Sequence, residues 1–137
     1  KDINTFEAEA PMLLENSAMT YSKSYYIDFL YNVDYDIVPS KLIIEALVKA
    51  YGKGFCKERL AYSFIYTLAK SVIKLSQKYN ATVVACSGGV FQNSLLISIL
   101  EKMTSIENID LKINRKLSAN DENISFGQLM YYQHIKN

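Results

Sequence analysis

Apolar residues recur at intervals of three and four positions in five stretches of the chain, which predicts five helices. The predicted helices run from residue 7 to 21 with a start near Glu9, from Pro39-Ser40 to about Tyr51, from Lys57 to Lys78, from Gln92 to Met103 and from Ile124 to Ile135. Pro11 is tolerated only in a first turn, and Gly52-Lys53-Gly54 and Asn80 favour helix ends.

Three other stretches are rich in β-branched and aromatic residues, which favours strands. Residues 24–35 are predicted to form one or two strands, and residues 82–86 and 109–113 one strand each. Right-handed crossovers would make the last two strands parallel. We therefore predict an α/β fold over residues 1–137, a single domain with a mixed sheet flanked by helices.

The turn between the strand at 82–86 and the fourth helix has the sequence Ser87-Gly88-Gly89-Val90-Phe91-Gln92-Asn93. Paired glycines let a backbone approach a ligand closely, and the amides and dipole of the following helix favour an anion such as phosphate. The alternative is an ordinary strand–helix turn with no ligand. Neither a Walker loop nor the three-glycine dinucleotide fingerprint is present.

Composition narrows the classes of partner. The net charge of the 137 residues is +1, which gives no electrostatic basis for binding nucleic acid or an anionic membrane. No apolar run reaches the ~18–20 residues that a membrane span needs. Cys56, Cys86 and the single His134 do not form a zinc motif, and we expect reduced thiols in a cytoplasmic protein.

The glycine turn at 87–93 resembles a motif of the HypF carbamoyltransferases, which serve in nickel–iron hydrogenase maturation. Residues 120–128, Asn-Asp-Glu-Asn-Ile-Ser-Phe-Gly-Gln, are similar to the family's Asn-Asp-Gly-Gly-Ile-Ser-Leu-Gly-Gln. Residues 6–15 are similar to the family pattern Tyr-Glu-Gly-Gln-Ala-Ala-x-x-Leu-Glu. The three motifs occur in the family's order and cover nearly the whole chain.

The resemblance implies the two-lobed actin/Hsp70-like ATPase (ribonuclease H-like) fold, with this chain as roughly the second lobe. It also implies a fragment of a longer protein, whose His-x-x-x-His metal motif and adenylate-forming domain would precede residue 1. In the family, carbamoyl phosphate and ATP give carbamoyl adenylate, and the carbamoyl group passes to the C-terminal cysteine of HypE. The isolated lobe is expected to be inactive.

The resemblance further implies site residues. Those expected at the nucleotide are Ser87, Gly88, Gly89, Val90 and Asn93. Asn93 either reaches the ribose or base or hydrogen-bonds the start of the helix, and Ser87 either contacts phosphate or caps the helix. Asp121 is expected to be one ligand of a divalent iron or zinc ion, with an N-cap as the alternative.

Two departures from the family pattern indicate either altered geometry or weakened activity. Glu122-Asn123 stands where the family has Gly-Gly, and Ala8 stands where it has glycine. Glu7 and Glu9 either approach a ribose or only favour the helix dipole. Two other functions stay open: a tRNA threonylcarbamoyltransferase-like protein, and a non-catalytic binding or scaffold module.

Overall fold

The computed structural model describes residues 5–21, 25–117 and 119–136. These residues form five α-helices, two strands and two short 3₁₀ turns. In chain order the elements are α1 (Glu9–Met19), α2 (Ser40–Gly52), α3 (Lys57–Lys78), β1 (Val83–Cys86), a 3₁₀ turn (Gly89–Gln92), α4 (Ser94–Ile106), β2 (Asp110–Ile113), a second 3₁₀ turn (Asp121–Asn123) and α5 (Ile124–Lys136). The five predicted helices are confirmed, with α4 starting later because residues 89–92 form the 3₁₀ turn.

The two strands are parallel and in register, with Val83 opposite Asp110 and Cys86 opposite Ile113. This confirms the parallel crossover predicted for the second half of the chain. The described sheet has only these two strands, so within the described residues the expected mixed sheet is wrong.

The chain passes from helix to strand in the same way before each strand, through an asparagine in the left-handed backbone conformation just after the helix end. Asn80 has φ 52° and Asn108 has φ 54°. The amides that follow them turn back to the preceding helix: Ala81 N–H donates to Ser76 O at 2.8 Å, and Ile109 N–H to Thr104 O at 2.9 Å. Asparagine tolerates this conformation better than most residues, so the helix end predicted at Asn80 is confirmed.

The predicted strand or strands at 24–35 are absent from the described part of that range, residues 25–35. The reason is that α3 supplies side-chain partners for this segment's backbone. Ile27 N–H donates to Ser63 Oγ at 2.9 Å, and Phe29 N–H donates to Thr67 Oγ1 at 3.2 Å. Satisfied in this way, the segment needs no partner strand.

Three lysines on one side of α3 extend this attachment to residues 28–36. Lys70 Nζ lies 2.7 Å from Asp28 Oδ2, and its pKa is raised by that hydrogen bond. Lys74 donates to Val33 O. Lys78 Nζ lies 3.0 Å from Asp34 and 2.9 Å from Asp36, and its hydrogen bonds lower the pKa of both carboxyls.

Two hydrophobic clusters share α3. One joins α3 to α1 and α4 and contains Leu100, which is fully buried, and the other joins α3 to α2 and the segment before it. Phe64 and Leu68 pack against both clusters. None of the described residues of α5 is buried, and no helix in the described ranges has the length and apolarity to cross a membrane.

Candidate functional site

The three sequence motifs meet at one open cleft of about 1130 Å³ beside the carboxyl end of β1. The start of α1 forms one wall, α3 forms the floor, and the turn after β1 and the loop after β2 form the other walls. The residues that line it are Glu7, Ala8, Ala10, Pro11, Met12, Leu14, Glu15, Phe64, Ile65, Leu68, Gly89, Val90, Gln92, Asn93, Leu96, Asn120 and Asp121. The floor is therefore apolar, and polar groups lie on the two loops and on the wall formed by α1.

The glycine turn contributes Gly89 and Val90 to the lining of this cleft. Gly88 has φ 105° and ψ 160°, a conformation that only glycine adopts readily. Its N–H donates to Ala119 O at 2.7 Å, which ties the turn to the loop that carries Asp121. Within the described residues, the N–H groups of Gly89 and Val90 have no acceptor. A Cβ on Gly89 would meet no atom within 4 Å.

The first turn of α4 is already satisfied by side chains. Asn93 is its N-cap, and Asn93 Oδ1 accepts the Leu96 N–H at 2.8 Å. Glu15 Oε1, from α1, accepts the Leu95 N–H at 3.1 Å and the Ser94 hydroxyl at 2.6 Å. The expectation that the first turn of α4 would offer its amides to an anion is therefore wrong for the amides of Leu95 and Leu96. Among the described residues of the preceding turn, the amides of Gly89 and Val90 have no acceptor.

The contact of Glu15 was missed at the sequence level. Glu15 belongs to the first motif, but no pattern within the chain links it to residues 94 and 95. Asn93 shows the helix-start hydrogen bond that was one of its two alternatives, while its side chain still lines the cleft. Ser87 is exposed and does not cap α4, since Asn93 does. Ser87 and Gly88 lie in the turn but do not line the cleft.

Asp121 lies on the same cleft as Gly89, as its position after β2 predicted. It opens the 3₁₀ turn before α5, so it does not occupy the N-cap position of α5. Among the described residues, no three His, Cys, Asp or Glu side chains come together as a metal site. Asp121 alone does not fit a tightly bound metal. The side chain of Glu122 lies outside the described part of the chain.

The first motif contributes a strained residue to the cleft. Ala8, which stands where the family pattern has glycine, precedes α1 with φ 64° and ψ 8°. Glu9 is 5% exposed, accepts the Thr5 hydroxyl at 3.0 Å and does not line the cleft. Glu7 does line the cleft.

The charges around the cleft are negative. Glu7, Glu15 and Asp121 line it, and no Lys, Arg or His from the described ranges does. An anion here would depend on backbone amides or on a cation brought with it. Cys86, at the end of β1, is buried, and burial raises the pKa of its thiol, which disfavours the nucleophilic thiolate.

Comparison with known families and structures agrees with the motifs. The family model described as "Carbamoyltransferase, Kae1-like Domain, second subdomain" matches residues 1–128. No curated protein matches the chain.

Two solved structures share the fold. One is full-length HypF in the phosphate- and nucleotide-bound form, at 29% identity and a TM-score of 0.74, over 93% of this chain and 21% of that one. The other is HypF from T. kodakarensis, at 20% identity and a TM-score of 0.74, over 93% of this chain and 17% of that one. The chain thus spans about a fifth of the length of the HypF proteins it matches.

Proposed function

Since the chain belongs to the carbamoyltransferase family, as the second subdomain of its Kae1-like domain, we propose that it forms the nucleotide-binding side of a HypF-type active site. In the full-length protein, that site would move the carbamoyl group from carbamoyl adenylate to the C-terminal cysteine of a HypE-like acceptor. The proposal includes the second-lobe position in an actin/Hsp70-like fold and a cytoplasmic location.

The observation that carries this proposal is that Gly89 and Val90 line the same cleft as Asp121, and that their N–H groups have no acceptor among the described residues. Preorganised N–H groups bind phosphate oxygens without a charged side chain. The apolar floor at Phe64 and Leu68 offers area for a purine base. Nucleotide binding in general is supported by the related structure of full-length HypF in the phosphate- and nucleotide-bound form.

Asp121 would contribute one carboxylate to a divalent metal, iron or zinc, held mainly by residues from elsewhere in the full-length protein. Such an ion would supply positive charge next to the transferred group. Among the described residues, no three His, Cys, Asp or Glu side chains come together around Asp121, so most ligands of such an ion would have to come from elsewhere in the full-length protein.

The test is calorimetry with ATP on the chain and on Gly89→Val. A Cβ at position 89 meets no atom within 4 Å and Gly89 has no positive φ, so the variant should fold. Its isopropyl group lies beside the two amides, and we expect ATP affinity to fall by about tenfold or more, the equivalent of ~1.4 kcal/mol.

Gly52→Val is the matched control, because Gly52 also has open space around it and an ordinary φ but lies at the end of α2, away from the cleft. It should bind ATP as the unmodified chain does. Equal heats for Gly89→Val and the unmodified chain would refute the nucleotide assignment. A chain whose melting temperature responds to neither ATP nor metal would favour the scaffold alternative.

The transfer itself needs the full-length parent protein. Incubated with ATP, carbamoyl phosphate and a cysteine-terminated acceptor, the parent should add a carbamoyl group to that cysteine, as detected by mass spectrometry. The Gly89→Val parent should do so much more slowly, whereas the Gly52→Val parent should match the unmodified enzyme.

A further inference from the structure

Glu15 makes a contact that neither folding of α1 nor apolar packing requires. From the middle of α1, its Oε1 accepts the Leu95 N–H at 3.1 Å and the Ser94 hydroxyl at 2.6 Å. It therefore bridges two walls of the cleft that are about eighty residues apart in sequence. Glu15 is itself part of the cleft lining.

The position of this carboxylate has an electrostatic consequence. The first turn of a helix is positively polarised, and its free amides attract anions. In α4 the carboxylate of Glu15 already accepts the Leu95 N–H, and the side chain of Asn93 accepts the Leu96 N–H. A phosphate at this turn would have to displace a carboxylate and face its charge. The amides of Gly89 and Val90, in the preceding 3₁₀ turn, have no such partner in the part of the chain that the structure describes.

We propose that Glu15 is a positioning residue, which holds α1 against the first turn of α4 and closes that turn to anions. It thereby directs the phosphates of a bound nucleotide to Gly89 and Val90. The inference rests on the proposed function, because that function supplies the nucleotide as the ligand. The electrostatic effect of Glu15 on anion binding can also be measured with inorganic phosphate, without a nucleotide.

The variants are Glu15→Ala, which removes the bridge, and Glu15→Gln, which keeps the acceptor oxygen and removes the charge. Glu45→Gln is the matched control, because Glu45 is exposed and pairs with Lys41 on its own helix. Two quantities are measured. The first is the dissociation constant for ATP, determined at a temperature well below the melting temperature of every variant. The second is the rise in melting temperature caused by inorganic phosphate.

We expect Glu15→Ala to weaken ATP binding by about tenfold, since two hydrogen bonds to a charged group are lost, whereas Glu15→Gln should restore binding to near that of the unmodified chain. Phosphate should bind both Glu15 variants about two- to fivefold more tightly than it binds the unmodified chain or Glu45→Gln.

Unchanged ATP affinity in Glu15→Ala, with only a lower melting temperature, would make Glu15 a purely structural residue and overturn the proposal. Equal effects of phosphate on Glu15→Gln and the unmodified chain would also overturn it. If the unmodified chain binds no ATP, the proposed function fails. The phosphate comparison then decides the role of Glu15 by itself.

Discussion

Replacing Ala8 with glycine should stabilise this protein, which is the opposite of the usual effect of that substitution. Ala8 has φ 64° and ψ 8° and no side-chain cap to compensate. For a residue with a Cβ, the left-handed conformation costs about 1–2 kcal/mol. Glycine avoids this cost but loses more backbone entropy on folding, about 0.5–1 kcal/mol. The expected net gain is therefore about 0.5–1 kcal/mol.

The measurement is urea unfolding followed by far-UV circular dichroism. The midpoint should rise while the slope stays constant, because the surface exposed on unfolding is the same. For a chain of this size the gain corresponds to a rise of roughly 2–4 °C in melting temperature. The methyl group of Ala8 is exposed, so its removal leaves no cavity.

Ala46→Gly supplies the control, since Ala46 lies in the interior of α2. There the substitution should destabilise by about 1 kcal/mol. If Ala8→Gly lowers the stability as much as Ala46→Gly does, the left-handed strain at Ala8 is not real, and the reasoning about this departure from the family pattern fails.

Three further predictions concern other parts of the fold. Gly88→Ala should lose about 1–3 kcal/mol in urea unfolding, because φ 105° strains any Cβ; unchanged stability would contradict the turn geometry. Lys78→Met should be less stable at neutral pH, and the difference should shrink as the pH falls from 3.8 through the lowered pKa values of Asp34 and Asp36, because Lys78 lowers the pKa of both carboxyls; a pH-independent difference in thermal unfolding would disprove this. With a chromogenic disulfide at pH 8, the exposed Cys56 should react fast and the buried Cys86 only on unfolding; a fast phase that survives Cys56→Ser would refute it.

The helices and the parallel pair were predictable because their signals are local. The 22 residues of α3 keep one apolar stripe along their length, and Asn80 marks its end in the conformation that asparagine favours. The convergence of Gly89 and Asp121 followed from topology, because the carboxyl ends of parallel strands face the same edge of a sheet.

What could not be predicted depends on side chains that meet across long distances in sequence. Alternation of aromatic and aliphatic residues in 25–35 is typical of a strand, but Ser63 and Thr67 bind the backbone instead. Glutamate at position 15 fits any exposed helix face, and nothing in its neighbourhood identifies Leu95 as its partner. Such contacts emerge only when the packing of α1, α3 and α4 is known.

Phe64 and Leu68 pack against both hydrophobic clusters and also form the floor of the cleft. Neither cluster can unfold without disturbing these two side chains, so we expect thermal unfolding of the chain in one cooperative step. A compound bound to this floor would stabilise both clusters at once. Its binding would raise the midpoint of the whole thermal transition, with no separate early phase.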